Sequence, residues 1–146
     1  MNQMGSLMRY HGRRLGLHPQ DENLAWEVDS FYDFFEDYIE RGFVDVVMKG
    51  SDVKNYEDAV KSIVDEIGRR LKHGKKYLCG DKITTADFVC AHLFFSWIEN
   101  PHLGGPPGMG EKGRAILKSN QYVVAYCHVM RTEVAAYLAI RPPAPV

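Results

Sequence analysis

No run of apolar residues in this 146-residue sequence approaches the roughly 18–20 that a membrane-spanning helix needs, so no transmembrane segment is expected. Charge of one sign is lacking too. Eighteen basic and 19 acidic side chains leave a formal net charge of −1, which gives no footprint for nucleic acid or for an anionic membrane surface. Cysteine is sparse. Cys79, Cys90 and Cys127 are an odd number without a Cys-x-x-Cys pair, and at least two lie in apolar helical stretches. They read as reduced, buried thiols of an intracellular protein. Met1 to Leu17 carry basic residues but no apolar block ending in a small-residue cleavage site, so a secretory signal is not expected. Arg9, Arg13 and Arg14 precede every acidic residue. The first basic helix of a cytoplasmic folded domain is the expected reading of them, and a mitochondrial address is the alternative.

Chemistry-bearing constellations are also missing. The six histidines show no metal spacing. Cys90 and His92 stand at i, i+2 and point apart on a helix, and Cys127 and His128 are adjacent with the same problem. No Ser-His-Asp or Cys-His set can be assembled. Gly104-Gly105 precedes prolines and does not follow a strand into a helix, so it is no phosphate cradle. No metal and no catalytic residue is therefore assigned.

Helical periodicity dominates what remains, with no strand pattern. Leu24, Val28, Phe31, Phe35 and Tyr38 recur at steps of three and four, with acidic residues on other faces. This predicts an amphipathic helix ending near Gly42, after which Phe43 to Met48 either continue it or form a connector. Tyr56, Val60, Ile63, Ile67 and Leu71 make a second stripe. From Thr84 to Ile98 almost no polar face is left, which marks a buried central helix. Thr84 is its N-cap, Asp87 completes a capping box, and Ile83 and Phe88 are placed as the hydrophobic staple. Asn100 to Gly113 reads as a surface Gly/Pro loop that cannot be helical. Two helical stretches follow, around Ile116 to Met130 and from Thr132 to Ile140, before a proline-rich end that cannot continue a helix. The fold predicted is an all-α bundle of about five to six helices. Trp26, Tyr32 and Tyr38 could line a hydrophobic pocket, although aromatics at helical spacing are usually core.

Three stretches resemble the C-terminal, all-helical domain of cytosolic glutathione transferases. Gln3 to Leu17 (Gln-Met-Gly-Ser-Leu-Met-Arg-Tyr-His-Gly-Arg-Arg-Leu-Gly-Leu) is similar to the last strand turn and final helix of that family's thioredoxin-like domain. Gly80 to Phe88 (Gly-Asp-Lys-Ile-Thr-Thr-Ala-Asp-Phe) resembles the family's folding motif, and Tyr137 to Pro142 its last helix and tail. Val28-Asp29 through Glu36-Asp37 has the length and spacing of the first helix of the family's helical domain. The resemblance implies a remnant of the thioredoxin-like domain at residues 1–17 and a helical domain at 18–146.

The resemblance also implies what the sequence does not contain. The family's thiol-activating Tyr, Ser or Cys, its glutathione-binding strand and its cis-proline all precede the matched segment. Only remnants of a glutathione site are expected. Gln3 stands at the γ-glutamyl end, Met4 replaces a serine that holds the carboxylate, and Asp37 matches an aspartate that reaches across a dimer. Arg9 and Arg13 are the candidates for a dimer or partner interface, and Ile83, Thr84, Asp87 and Phe88 are structural. No cofactor is expected, with glutathione bound only alongside a complete N-terminal domain. The function expected is a non-catalytic, protein-binding module, held in a homodimer, with a partner chain or in a multi-subunit complex. The alternative is a glutathione transferase whose thioredoxin-like half is missing from this sequence or lies on another chain.

Overall fold

The computed structural model describes residues 4–50, 52–100 and 105–142, without the side chains of Glu40 and Arg41. Helix α1 (Met4–Arg14) leads through a short linker to α2 (Glu22–Ile39). α2 runs on through a π-helical turn (Glu40–Val44) into α3 (Asp45–Lys49). There follow α4 (Val53–Leu71), α5 (Thr85–His92) with a π-helical extension (Leu93–Ile98), α6 (Met109–Lys118), α7 (Gln121–Glu133) and α8 (Ala135–Ile140). Among the described residues there is no strand, only one antiparallel bridge between Tyr77 and Gly80.

The predicted all-α bundle is what forms, around the predicted central helix. Cys90, Leu93, Phe94 and Ile98 on α5 and its extension are wholly buried. α5 packs against α1, α2 and α7, and its extension against α6. The stripes on α2 (Val28, Phe31, Phe35) and α4 (Tyr56, Val60, Ile63, Ile67, Leu71) point into the same core. Asp52 caps α4 by accepting the Lys54 N–H at 2.8 Å, and Asn120 caps α7 by accepting those of Tyr122 and Val123. All three cysteines are buried and free.

The structure differs from the sequence expectation in three places. The first long helix does not stop near Gly42. That glycine lies inside the π-helical turn, where a Cβ would come within 2.3 Å of the Ala59 methyl, so its bareness allows α2–α3 to pass close against α4. Nor is Asn100 to Gly113 all loop, because α6 begins at Met109, which is anchored in the core at 2% exposure. Gly113 sits on its inner face, and a Cβ there would meet the Tyr56 hydroxyl at 2.2 Å. A glycine that marks tight helix packing thus resembles a loop signal in sequence. The third difference is one of division: Ser119-Asn120 separates α6 from α7, and the last helix starts at Ala135, after Val134.

Candidate functional site

Asp87 organises the start of the central helix. Its Oδ2 accepts the Thr84 backbone N–H at 2.7 Å and the Thr84 hydroxyl at 3.0 Å, while Oδ1 accepts the Leu78 N–H at 3.0 Å and the Tyr126 hydroxyl at 2.6 Å. The capping box is formed, and the carboxylate also ties the Tyr77–Gly80 connector and α7 to α5. Asp87 is 0% exposed, and four donors meet the demand that a buried carboxylate makes. Ile83 and Phe88 are half-buried and packed against the core. The sequence shows the Thr84–Asp87 spacing. It shows nothing of Tyr126, which stands 39 residues away in a run of apolar residues.

A second polar cluster attaches α1. Arg9 donates from Nε to Asp29 at 2.8 Å and from Nη2 to Asp33 at 2.5 Å, and the guanidinium lies over the Tyr32 ring. His18, buried in the linker after α1, places Nε2 at 3.1 Å from the same Asp29 oxygen. Partial burial alone would raise the Asp29 carboxyl. The hydrogen bonds from Arg9 and His18 outweigh it and hold the group below its ordinary value.

Between α1, α2, α5 and the α7–α8 junction lies an open cleft of about 830 Å³. Its walls are mainly apolar, with Met8, Phe35, Ile39, Phe88, Phe95 and Leu138 prominent, and Met4 and Tyr137 stand exposed at 63% and 57% on its lining. Glu36, His92, Ser96 and Glu133 are its polar members. Glu36 accepts the Tyr32 hydroxyl at 3.1 Å, and burial, then this carboxylate, raises the phenol. Lost hydration against the wall, then the charge of Arg141, lowers the His92 imidazole. A second depression, lined by Arg13, His18, Asp21, Asp81 and Lys82 among others, mixes both signs of charge and offers no single recognition chemistry.

The residues singled out in sequence do not converge on one described site. Gln3 lies outside the described residues. Met4 is on the cleft, whereas Asp37 is exposed on α2, is not part of the cleft wall and makes no ion pair among the described residues. Arg9 is engaged within the chain by Asp29 and Asp33, and Arg13 is exposed beside the polar depression. Of the aromatics, Tyr32 lines the cleft and is 4% exposed, Tyr38 packs against the core, and Trp26 is 70% exposed. The cleft itself draws on five segments, and sequence gives no signal that joins them. Among the described residues no group of three or more His, Cys, Asp or Glu is placed to hold a metal ion. No described helix is long and apolar enough to cross a membrane.

A helical bundle built on a capped, buried central helix, with one apolar cleft beside its first and last helices, has the architecture of a transferase helical domain. Residues 26–111 match the family described as "Glutathione S-transferase, C-terminal domain", and the chain belongs to that family. Solved structures agree on the fold. A monomeric glutathione S-transferase from the hookworm Necator americanus superposes with a TM-score of 0.78 at 19% identity, over 99% of this chain and 70% of that one. The glutathione S-transferase of Ascaris lumbricoides gives 0.73 at 21% identity, over the same shares. No curated protein matches the sequence.

Proposed function

We propose that this chain is the helical half of a glutathione transferase. In that reading its apolar cleft is one wall of the electrophile pocket, and a thioredoxin-like half closes the other side. The observation that carries it is the cleft: about 830 Å³, mainly apolar, open, and lined in part by Met4 and Met8 of α1. α1 and residues 1–17 then belong with the thioredoxin-like half, held to the bundle by the Arg9–Asp29 and His18–Asp29 contacts. The rest of the thioredoxin-like half binds glutathione and supplies the group that activates its thiol. The thiolate attacks the electrophile, a carbon–sulfur bond forms, and the leaving group departs. The similar structures carry the name glutathione S-transferase and are longer than this chain, which covers 70% of each. Three free, buried thiols fit an intracellular setting.

The test is glutathione-dependent conjugation of 1-chloro-2,4-dinitrobenzene by the protein purified from its native source. Turnover that is lost when the Ala136 wall of the cleft is filled by Ala136→Trp supports the reading. Absence of turnover in a preparation that contains a thioredoxin-like half overturns it.

One observation favours a second reading, a non-catalytic module that binds a protein partner or a second copy. Met4 presents a thioether on the exposed cleft where the resembled segment has a serine hydroxyl, so the cleft is more apolar there than a glutathione site requires.

A further inference from the structure

The net charge of −1 conceals a local excess. Residues 69–76, Arg-Arg-Leu-Lys-His-Gly-Lys-Lys, hold five of the 18 basic side chains and no acidic one. They cover the end of α4 and the turn after it, and all but Leu71 and the partly buried Arg70 are exposed. Two carboxylates face them. Glu66 takes Arg69 and Arg70, each at 2.7 Å, and Glu133 takes Lys76 at 3.3 Å. No carboxylate among the described residues pairs with Lys72 or Lys75, so five cations meet two anions. Lys82 does not add to the cluster, because Asp21, Glu22 and Asp81 share its depression. The negative end of the α4 dipole accounts for Arg69, Arg70 and Lys72 in the last turn. It does not account for Lys75 and Lys76, which lie beyond Gly74, where a φ of +79° turns the chain out of the helix.

An exposed indole stands at the same end of the bundle. Arg70 donates to the Glu27 backbone carbonyl at 3.4 Å and lies over the Phe31 ring, which fixes the start of α2 beside the end of α4. Trp26, next to Glu27, is 70% exposed. Neither Trp26 nor Lys72, Lys75 or Lys76 lines the cleft or the depression. Cations and an indole without a cavity suit a broad charged surface, whereas a small molecule or a peptide side chain needs a pocket.

We propose that this end of the bundle docks on an anionic lipid surface, with Lys72, Lys75 and Lys76 at the headgroups and Trp26 in the interface. Charge complementarity is the ground for this occupant. Ammonium groups on flexible stems are drawn to a field of acidic headgroups without any fixed geometry. An indole, apolar with one polar edge, favours the boundary between hydrocarbon and water. A single-stranded nucleic acid is held by a basic groove that tracks its backbone, and the cluster lies on an exposed helix end and turn. Three uncompensated positive charges give peripheral, reversible binding, on the order of a hundred-fold above a neutral lipid surface. The inference does not depend on the reading of the cleft as a substrate pocket.

Sedimentation of the full-length protein with vesicles tests it, using phosphatidylcholine alone and phosphatidylcholine mixed with phosphatidylserine. Partition to the mixed vesicles is expected to be about a hundred-fold stronger in about 0.1 M salt and to be largely lost in about 0.5 M. Lys72→Gln with Lys75→Gln is expected to weaken it about ten-fold or more. Lys54→Gln with Lys61→Gln removes the same charge from the same helix, but those ammoniums are held by Asp58 and Asp65. That pair is expected to change the partition less than about two-fold. The emission of Trp26 is expected to shift to the blue on the mixed vesicles, and the shift to be absent in Trp26→Leu, since Trp97 is 7% exposed. Equal partition to both kinds of vesicle, equal losses in the two lysine pairs, or an unshifted Trp26 overturns the proposal. Tighter binding to a DNA duplex than to the mixed vesicles at the same salt overturns the lipid as occupant. The circular dichroism and melting of each variant show that it is folded.

Discussion

Tyr126 on α7 donates its hydroxyl hydrogen to Asp87 on α5 at 2.6 Å, with both residues buried. This bond converts a local helix cap into a tertiary tie, because the same carboxylate holds Leu78 and Thr84. Tyr126→Phe is expected to cost about 2 kcal/mol, the value of one bond to a charged acceptor. Asp87→Ala leaves several buried donors unpaired and is expected to cost at least about 4 kcal/mol. Urea unfolding of the two variants measures this. No loss in Tyr126→Phe beside a large loss in Asp87→Ala would show that the cap alone matters.

The ties on Asp29 give a pH signature. Its carboxyl lies below the ordinary value of 3.8 in the folded chain, so the stability it contributes is present above that value and is lost as pH falls through the lower folded value. The group is 30% exposed, so solvent screening limits the contribution. Asp29→Asn is therefore expected to cost about 1 kcal/mol at pH 7 and progressively less in acid. Unfolding curves at pH 7 and pH 3 test the sign: a gap that widens in acid contradicts the account.

Tyr56 and Gly113 form a testable pair. The Tyr56 hydroxyl is buried without a hydrogen-bond partner among the described residues, and burial pushes it up to about 12. Tyr56→Phe is expected to be neutral or mildly stabilising. Gly113→Ala is expected to cost about 1–3 kcal/mol, because its methyl meets that hydroxyl. The double variant is expected to recover part of the loss, since the next ring atom stands 3.2 Å from the added Cβ. Additivity in the double-mutant cycle would exclude this contact as the cause.

The cysteines are expected to be silent in the folded protein. Burial pushes the Cys79 thiol up to about 11 and Cys127 up to about 12, and raises Cys90 as well. A chromogenic disulfide reagent at pH 8 is expected to label none of the three quickly, and all three after unfolding in urea. Rapid stoichiometric labelling of any one in the native state contradicts its burial.

The fold was legible because its signals are local. Thr84 and Asp87 stand at capping spacing, the α4 stripe has an unbroken helical period, and the α5 segment lacks a polar face, which a buried helix alone tolerates. The errors at Gly42 and Gly113 share one cause: a glycine chosen for close helix contact has the same letter as one chosen for a turn. The cleft was not legible. Met8, Phe35, Phe88 and Leu138 are brought together only by tertiary packing, and each resembles an ordinary core position on its own helix.

The most direct test of the central claim is the intact mass and composition of the native species that contains this chain. The account predicts that the 16.6 kDa segment occurs with a thioredoxin-like half, covalently joined or co-purifying, which seats on the cleft formed by α1, α2, α5 and α8. A native species of 16.6 kDa that carries no such half and binds none would contradict it.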